Sequence, residues 1–219
     1  MDRQQWLEWR LDGIGASDAP VVMNVSPYKT RYELWEEKVN RVTDFKDNPS
    51  MKRGRDMEEE ARECFENMTG HLVFPKNMIH PEYSWLRCSL DGLSIDGEIA
   101  VEIKCPNEGD HATALNGKVP DKYFPQIQHQ MLVCNLQEMF YFSYRNFGAI
   151  VLVKRDQKYI DTLFEEEKKF FDMILSKTPP EKTDRDIPKI EDPKWEVVCK
   201  KRQEITEIIS DLEEESDML

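Results

Sequence analysis

Two short stretches, Ser89-Leu90-Asp91-Gly92 and Val101-Glu102-Ile103-Lys104, decide the fold of this chain. Read with the two-residue period of a strand, Ile99, Val101 and Ile103 share one face, apolar and fit for a core. Ala100, Glu102 and Lys104 share the other, so an acid and a base point the same way. Between the stretches lies Asp96-Gly97, a dipeptide favoured in type I′ hairpin turns, where both central residues need positive φ. The spacing predicts a hairpin that folds Asp91 back beside Glu102. Neighbouring carboxylates repel unless a cation lies between them, and hard oxygen ligands with open positions favour Mg²⁺ or Mn²⁺. An adjacent ammonium suits a developing negative charge, or the orientation of a metal-activated water. A solvated strand face with an ordinary Glu/Lys pair has the same alternation; the Asp-Gly, the turn and the Cys105-Pro106 stop favour a site.

The surrounding chain sets the bounds. Its 219 residues suffice for one substantial core with a small appendage, and 39% hydrophobic content is that of a globular protein. Five cysteines are scattered singly with no CxxC spacing, which argues against zinc, an iron–sulfur cluster or a disulfide framework and fits a reducing compartment. No apolar run reaches bilayer length and Met1–Gln5 lacks a leader pattern, so a soluble, cytoplasmic protein without membrane contact is expected. The net charge of −13 excludes a simple basic-patch nucleic-acid binder. It leaves open an enzyme that gathers acids at a metal site and in a tail: Glu204 to Leu219 holds seven acids and no Lys or Arg.

Periodicity predicts helices over Gln4–Leu11, Tyr32–Val39 and Gly54–Thr69, the last ended by Gly70. Gly13–Asp18 reads as a glycine-rich turn opening a short helix with Ser17 as N-cap, and a polar loop runs to about Met51. Strands are expected near His71–Phe74 and Leu86–Asp91, and as a pair over Glu138–Tyr144 and Ala149–Val153. Asn107–Lys122 is helix or loop, Pro125 starts a helix to Val133, and Ile160–Leu175 is amphipathic with Ile160, Leu163, Phe164, Phe171 and Ile174 inward. Pro179-Pro180 opens an extended linker with Pro188 and Pro193, followed from Lys194 by a helical or disordered acidic tail. This order implies a mixed α/β core with a central sheet.

Three further groups merit weighing. Glu58 flanks the buried stripe of its helix and is a third acid for Asp91 and Glu102, although a partly solvated Glu in an acid-rich helix reads the same. Gln126 and Gln130 are spaced i, i+4 with His129 close to their face, which fits either support of a site or an exposed polar face opposite Ile127, Met131 and Leu132. A lone His such as His129 is more often structural than catalytic. The Gly13–Ser17 turn, with Arg10 one turn upstream, has the free N–H groups, hydroxyl and cation of an anion site, a pattern also frequent at ordinary helix starts.

Asp91 followed by Glu102-Ile103-Lys104 resembles the PD-(D/E)xK nuclease superfamily. Longer strings resemble the phage lambda exonuclease family, the YqaJ-type viral recombinases or alkaline exonucleases. They are Arg10–Ser17, Ser26-Pro27-Tyr28-Lys29-Thr30 with Tyr32-Glu33-Leu34-Trp35, Gly54-Arg55-Asp56-Met57-Glu58, Ser89–Leu93, Glu102–Pro106 and Phe124–Gln130, ordered between about Trp6 and Phe171. The resemblance implies an α/β, restriction-endonuclease-like core over residues 1–178, a central mixed β-sheet flanked by helices, with a linker and acidic tail over 179–219. It implies a Mg²⁺-dependent 5′→3′ exonuclease that degrades one strand of linear double-stranded DNA, leaving 3′ overhangs for phage recombination in a bacterial host. Two metal ions per site, replaceable by Mn²⁺, a ring-shaped homotrimer and a single-strand annealing partner are implied as well. Asp91, Glu102, the Ile103 carbonyl and Glu58 would hold metal; Lys104 would position the attacking water and Gln126 would support the site. Arg10 and Ser17 would bind the 5′ phosphate, with Lys29, Arg53, Arg55 and Lys118 along the DNA channel.

Two departures stand out. The acid that some relatives carry before the strand of Asp91 has only Glu82 nearby, and the basic residue that follows Lys-Cys-Pro in lambda-like members is replaced by Glu108-Gly109-Asp110-His111. The rival readings are a structure-specific or restriction-like endonuclease of the same fold and a non-catalytic DNA-binding module.

Overall fold

The alternation around Asp91 and Glu102 forms the centre of a six-stranded mixed sheet. In the computed structural model, which describes residues 1–42, 49–187 and 193–217, the sheet holds β1 (Ile14–Gly15), β2 (Phe74–Ile79), β3 (Leu86–Leu93), β4 (Ala100–Lys104), β5 (Glu138–Arg145) and β6 (Phe147–Lys154). β3 pairs antiparallel with β2 along its length, parallel with β1 at Leu86 and Arg87, and antiparallel with β4 at Gly92 and Leu93. β4 runs parallel to β5, and β5–β6 is an antiparallel hairpin. A strand has two edges. Since β2 occupies one, β1 and β4 share the other, and the stretch from Cys88 to Asp91 lies between them without a strand partner on that edge.

Both faces of the sheet are covered, as a central sheet requires. On one, Ala61 and Phe65 of α4 (Pro49–Thr69) pack on Val101, Ile103, Phe142 and Tyr144. On the other, Ile127 and Met131 of α6 (Phe124–Cys134) pack on Leu86, Cys88, Leu90 and Tyr141. A third cluster gathers Val21 and Val22 of α2 (Ala19–Val22), Leu34 of α3 (Arg31–Val39) and Phe170 of α7 (Gln157–Ser176) around Ile14. The inward set of α7 therefore includes Phe170 and Glu167, beyond the residues that periodicity picked out.

Several local expectations are corrected. The β3–β4 connection is not a two-residue type I′ turn: it runs from Ser94 to Ile99, and Gly97 alone in it has positive φ, +78°. The Ser94 carbonyl accepts from Gly97 N–H at 3.0 Å, and Asp96 Oδ1 accepts from Glu98 N–H at 3.0 Å. Ser17 is not an N-cap; Ala16–Asp18 is a single 3₁₀ turn whose Asp18 carboxylate accepts the Gly15 N–H at 3.0 Å. The strand placed at His71–Phe74 begins at Phe74, and Asn107–Lys122 resolves into α5 (Glu108–Leu115) and a loop. The polar loop before Met51 lies partly outside the described residues, since α4 already begins at Pro49.

Residues Met1–Glu181 form one compact unit and Lys182–Leu219 another. Within the second, α8 (Pro193–Asp217) is a 25-residue helix with Trp195, Val198, Ile205 and Ile209 exposed. Pro188, expected in the linker, lies outside the described residues. No helix among the described residues is long and apolar enough to cross a membrane.

Candidate active site

The site forms where β3 and β4 part. Their ladder stops at Gly92–Val101, and beyond it the Asp91 carboxylate takes the place of a backbone acceptor, receiving the Ile103 N–H at 2.7 Å. Gly92 is required beside it: a Cβ there would sit 2.5 Å from Val73 Cγ2 and 2.7 Å from Val101 Cγ1, so Asp-Gly lets the core close directly under the acid. Glu102 is 1% exposed, and Lys104 Nζ donates to its Oε1. Burial, and then the Glu102 charge, raises the Asp91 pKa well above the ordinary carboxylate range; Glu58 adds to this, while Lys104 and the Ile103 N–H oppose it. Burial works against the Lys104 ammonium, but Glu102 and Asp91 together outweigh it and its pKa is raised. Lys104 is therefore a fixed cation beside two crowded acids.

α6 grips the same carboxylate from the sheet face. Gln126 Nε2 donates to Glu102 Oε1 and Gln130 Nε2 to Glu102 Oε2, with a longer contact from Gln130 to the Ser89 carbonyl at 3.3 Å. The exposed polar face open to these glutamines in the sequence does not exist: both are buried, as is Gln128, whose Nε2 donates to the Lys154 carbonyl at 3.0 Å. Helix and strand satisfy each other's polar groups, which is how a polar helix surface enters a core. His129 is structural. Its Nε2 donates to the Arg87 carbonyl at 3.0 Å and its Nδ1 lies 2.7 Å from Glu167 Oε1, tying α6 to β3 and α7.

Glu58 approaches from α4 on the opposite face of the sheet. Its side chain is 40% exposed and lies 3.9 Å from Arg62, whose Nη1 in turn donates to the Asp91 carbonyl at 3.4 Å. Among the described residues no three His, Cys, Asp or Glu side chains converge as a ready ligand set; Asp91 and Glu102 are drawn together, and Glu58 stands apart with Arg62. The donor chemistry nevertheless fits a hard divalent cation. The buried Glu102 carboxylate and the half-buried Asp91 carboxylate crowd each other, and among the described residues the buried Gln130 Oε1, a neutral oxygen beside Glu102, has no hydrogen-bond partner.

A second cluster lies against β1 and the first helix, α1 (Arg3–Leu11). Arg10 Nη2 donates to Ser17 Oγ at 3.0 Å and lies 3.4 Å from Asp18 Oδ1, with its guanidinium over the Trp6 ring. Trp6 Nε1 donates to Ser89 Oγ at 2.9 Å, which links this cluster to the strand of Asp91. Beneath it Lys38, 1% exposed at the side chain, reaches Asp18 Oδ2 at 2.7 Å and the Arg10 and Gly13 carbonyls at 2.7 and 2.8 Å. Burial pushes both partners toward neutrality. On Asp18 the two cations Lys38 and Arg10 outweigh burial and hold its pKa at about 2; on Lys38, beside the like charge of Arg10, burial wins and the pKa is lowered. The sequence assigns no role of their own to Asp18, Lys38 and Ser89: a lysine in the last turn of a helix reads as solvated, and nothing in its spacing marks it as buried. Of the four expected channel cations, Lys29 is engaged with Glu37, Arg53 Nε contacts Met57 Sδ at 3.3 Å, and Arg55 and Lys118 are exposed.

The chain is similar to known proteins over most of its length. The model of the YqaJ-like viral recombinase domain matches residues 5–137. The uncharacterised protein YqaJ of Bacillus subtilis is 28% identical over 188 residues, which cover 82% of this chain and 59% of that protein. Among solved structures, LHK-Exo in complex with dAMP superposes with a TM-score of 0.71 at 27% identity, covering 80% of this chain and 93% of the other. LHK-Exo is described as an alkaline exonuclease from Laribacter hongkongensis. A phage-related exonuclease from Haemophilus somnus, 14% identical with a TM-score of 0.55 over 75% of this chain and 96% of its own, shares the fold. The sheet, the forked strands and the matched span agree: the chain belongs to the YqaJ-like viral recombinase family, whose structural relatives are lambda-type alkaline exonucleases.

Proposed function

We propose that this protein is a Mg²⁺-dependent 5′→3′ exonuclease that degrades one strand of linear double-stranded DNA and leaves 3′ overhangs for recombination by strand annealing. The observation that carries the reading is the grip on Glu102: one buried carboxylate held by Lys104, Gln126 and Gln130, next to Asp91 at the strand fork. Catalysis by charge stabilisation demands groups fixed before the reaction begins, and three elements, β3, β4 and α6, fix these. Asp91, Glu102 and the Ile103 carbonyl would hold the cation, with Glu58 completing the set and two ions per site. When bound, the metal supplies Lewis acidity to the phosphoryl oxygens and an acidified water. Lys104 keeps its proton, orients the attacking water and opposes the charge that builds on the phosphate. Gln126 and Gln130 keep Glu102 from rotating away.

Arg10 and Ser17 would receive the 5′ phosphate, with Asp18 and Lys38 as their buried foundation and Lys29 and Arg55 along the duplex. The complex of LHK-Exo with dAMP supports a site for nucleoside 5′-monophosphates, the units an exonuclease releases. The ring-shaped homotrimer, the single-strand annealing partner and a cytoplasmic setting belong to the same proposal.

End-labelled linear duplex, with a 5′-phosphate or a 5′-hydroxyl, is incubated with and without Mg²⁺ alongside a covalently closed circle. The proposal expects Mg²⁺-dependent release of 5′ mononucleotides, faster from the phosphorylated end, and an intact circle. Cutting of the circle would assign the protein to the endonucleases, and release without divalent metal would remove the metal role.

A further inference from the structure

An aromatic ring stands exposed beside the site, held in place from three directions. Tyr28 is 72% exposed, in the segment between α2 and α3. Scattered exposed apolar residues are normal and carry no message. This one is fixed. Its backbone N–H donates to Ser26 Oγ at 3.2 Å, its hydroxyl accepts from Lys122 Nζ at 2.8 Å, and the same ammonium lies 5.2 Å from its ring centre. Lys122 is itself anchored by Asp110 of α5 at 2.7 Å and by the ring of Tyr123 at 5.1 Å. Tyr123 lies against the fully buried Tyr141, with centroids 5.9 Å apart, and its ring lies 5.4 Å from Lys104 Nζ.

Lys104, Tyr123, Lys122 and Tyr28 thus form a continuous stack of alternating cations and rings, running from the centre of the site to an open aromatic face. Each of its three steps is between 5.1 and 5.4 Å. Laid end to end they bound the distance from the Lys104 ammonium to Tyr28 at the reach of a few nucleotides, at about 3.4 Å of rise each. A ring oriented before any ligand arrives loses little entropy on stacking a flat partner. Exposed over 72% of its surface, it offers what a nucleobase takes, a π-face that tolerates any base.

We propose that Tyr28 is a base-stacking platform for the DNA strand under hydrolysis, holding a nucleobase within the first three nucleotides of the cut end. The proposal rests on the nuclease reading of the site and adds to it a contact with the base instead of the phosphate.

The test uses the full chain and a 5′-phosphorylated duplex carrying 2-aminopurine at the first, second or third nucleotide, with Ca²⁺ in place of Mg²⁺ during binding. Fluorescence of one of the three positions should be quenched by the wild type and by Tyr28→Phe, which keeps the ring. Tyr28→Ala should lose that quench and bind about tenfold more weakly. On a duplex abasic at all three positions, wild type and Tyr28→Ala should bind alike. Retained quench in Tyr28→Ala, or an equal loss on the abasic duplex, overturns the platform and leaves Tyr28 as a clamp on Lys122. If the wild type neither binds nor degrades linear duplex, the nuclease reading falls and the platform with it. If the wild type degrades duplex while Tyr28→Ala binds the intact duplex equally well, only the platform falls.

Discussion

Replacing Gln130 by Ala isolates the least expected member of the site. The side chain is fully buried and its Nε2 donates to Glu102 Oε2, with a second contact to the Ser89 carbonyl at 3.3 Å. A hydrogen bond to a charged group contributes about 1.5–3 kcal/mol. If that energy serves to orient Glu102 in the transition state, its loss lowers kcat/KM by about 10- to 150-fold, since about 1.4 kcal/mol is tenfold. Loss of a partner that orients a metal ligand gives a similar range, about 10- to 100-fold in metal affinity or activity. The cost to folding is smaller, because the variant also removes Gln130 Oε1, a buried acceptor without a partner. The assay is nucleotide release from 5′-phosphorylated duplex across a Mg²⁺ titration, with a separate thermal melt. Combined with Gln126→Ala, the two losses should fall short of adding, because both glutamines hold the same carboxylate. Wild-type kcat/KM in Gln130→Ala at every Mg²⁺ concentration, or losses that multiply fully in the double variant, would refute the reasoning.

Other outcomes follow from the second cluster and the fork. Lys38→Met leaves Asp18 buried without its closest cation and should cost about 3–5 kcal/mol in denaturant unfolding; an unchanged midpoint would mean that the pair is dispensable. Asp18 is held at about 2 against an ordinary 3.8, so folding gains about 2 kcal/mol that is fully present above about pH 4 and lost as pH falls through 2. In Asp18→Asn that acid-side slope of stability should flatten between pH 4 and 2, and an identical slope would locate the acid sensitivity elsewhere. Gly92→Ala forces a Cβ to within 2.5 Å of Val73 and 2.7 Å of Val101 and should cost about 1–3 kcal/mol by thermal melting, whereas a rise in stability would show that the fork has room to spare.

The legible parts of the fold were those governed by one-dimensional pattern. The alternation of Leu86, Cys88 and Leu90 and the run from Ala100 to Lys104 bury their apolar residues as the pattern says, and in α4 the period buries Ala61 and Phe65 but leaves Met68, on the same stripe, 52% exposed. β2 escaped because it is an outer strand with mostly exposed side chains, and Pro75 lies at the shift in register between Phe74 and Lys76. The six-residue β3–β4 connection escaped because Asp-Gly is also at home in longer turns. In the site, Asp91, Glu102 and Lys104 were readable because a hairpin brings near neighbours in sequence together. The grip of Gln130 was readable only as a spacing, since its meaning depends on one edge of β3 being left open between β1 and β4 while β2 occupies the other. The burial of Asp18 with Lys38 joins segments that no local pattern connects.

Glu102→Gln tests the account most directly, because it removes one charge from the site and almost no volume. The variant is compared with wild type for binding and for Mg²⁺-dependent nucleotide release on the same end-labelled linear duplex. The account predicts retained binding through Arg10, Ser17 and the channel cations, with hydrolysis reduced at least a hundredfold, about 2.7 kcal/mol of transition-state stabilisation. Hydrolysis at the wild-type rate would contradict it, because the carboxylate that Lys104, Gln126 and Gln130 hold in place would then have no part in the reaction.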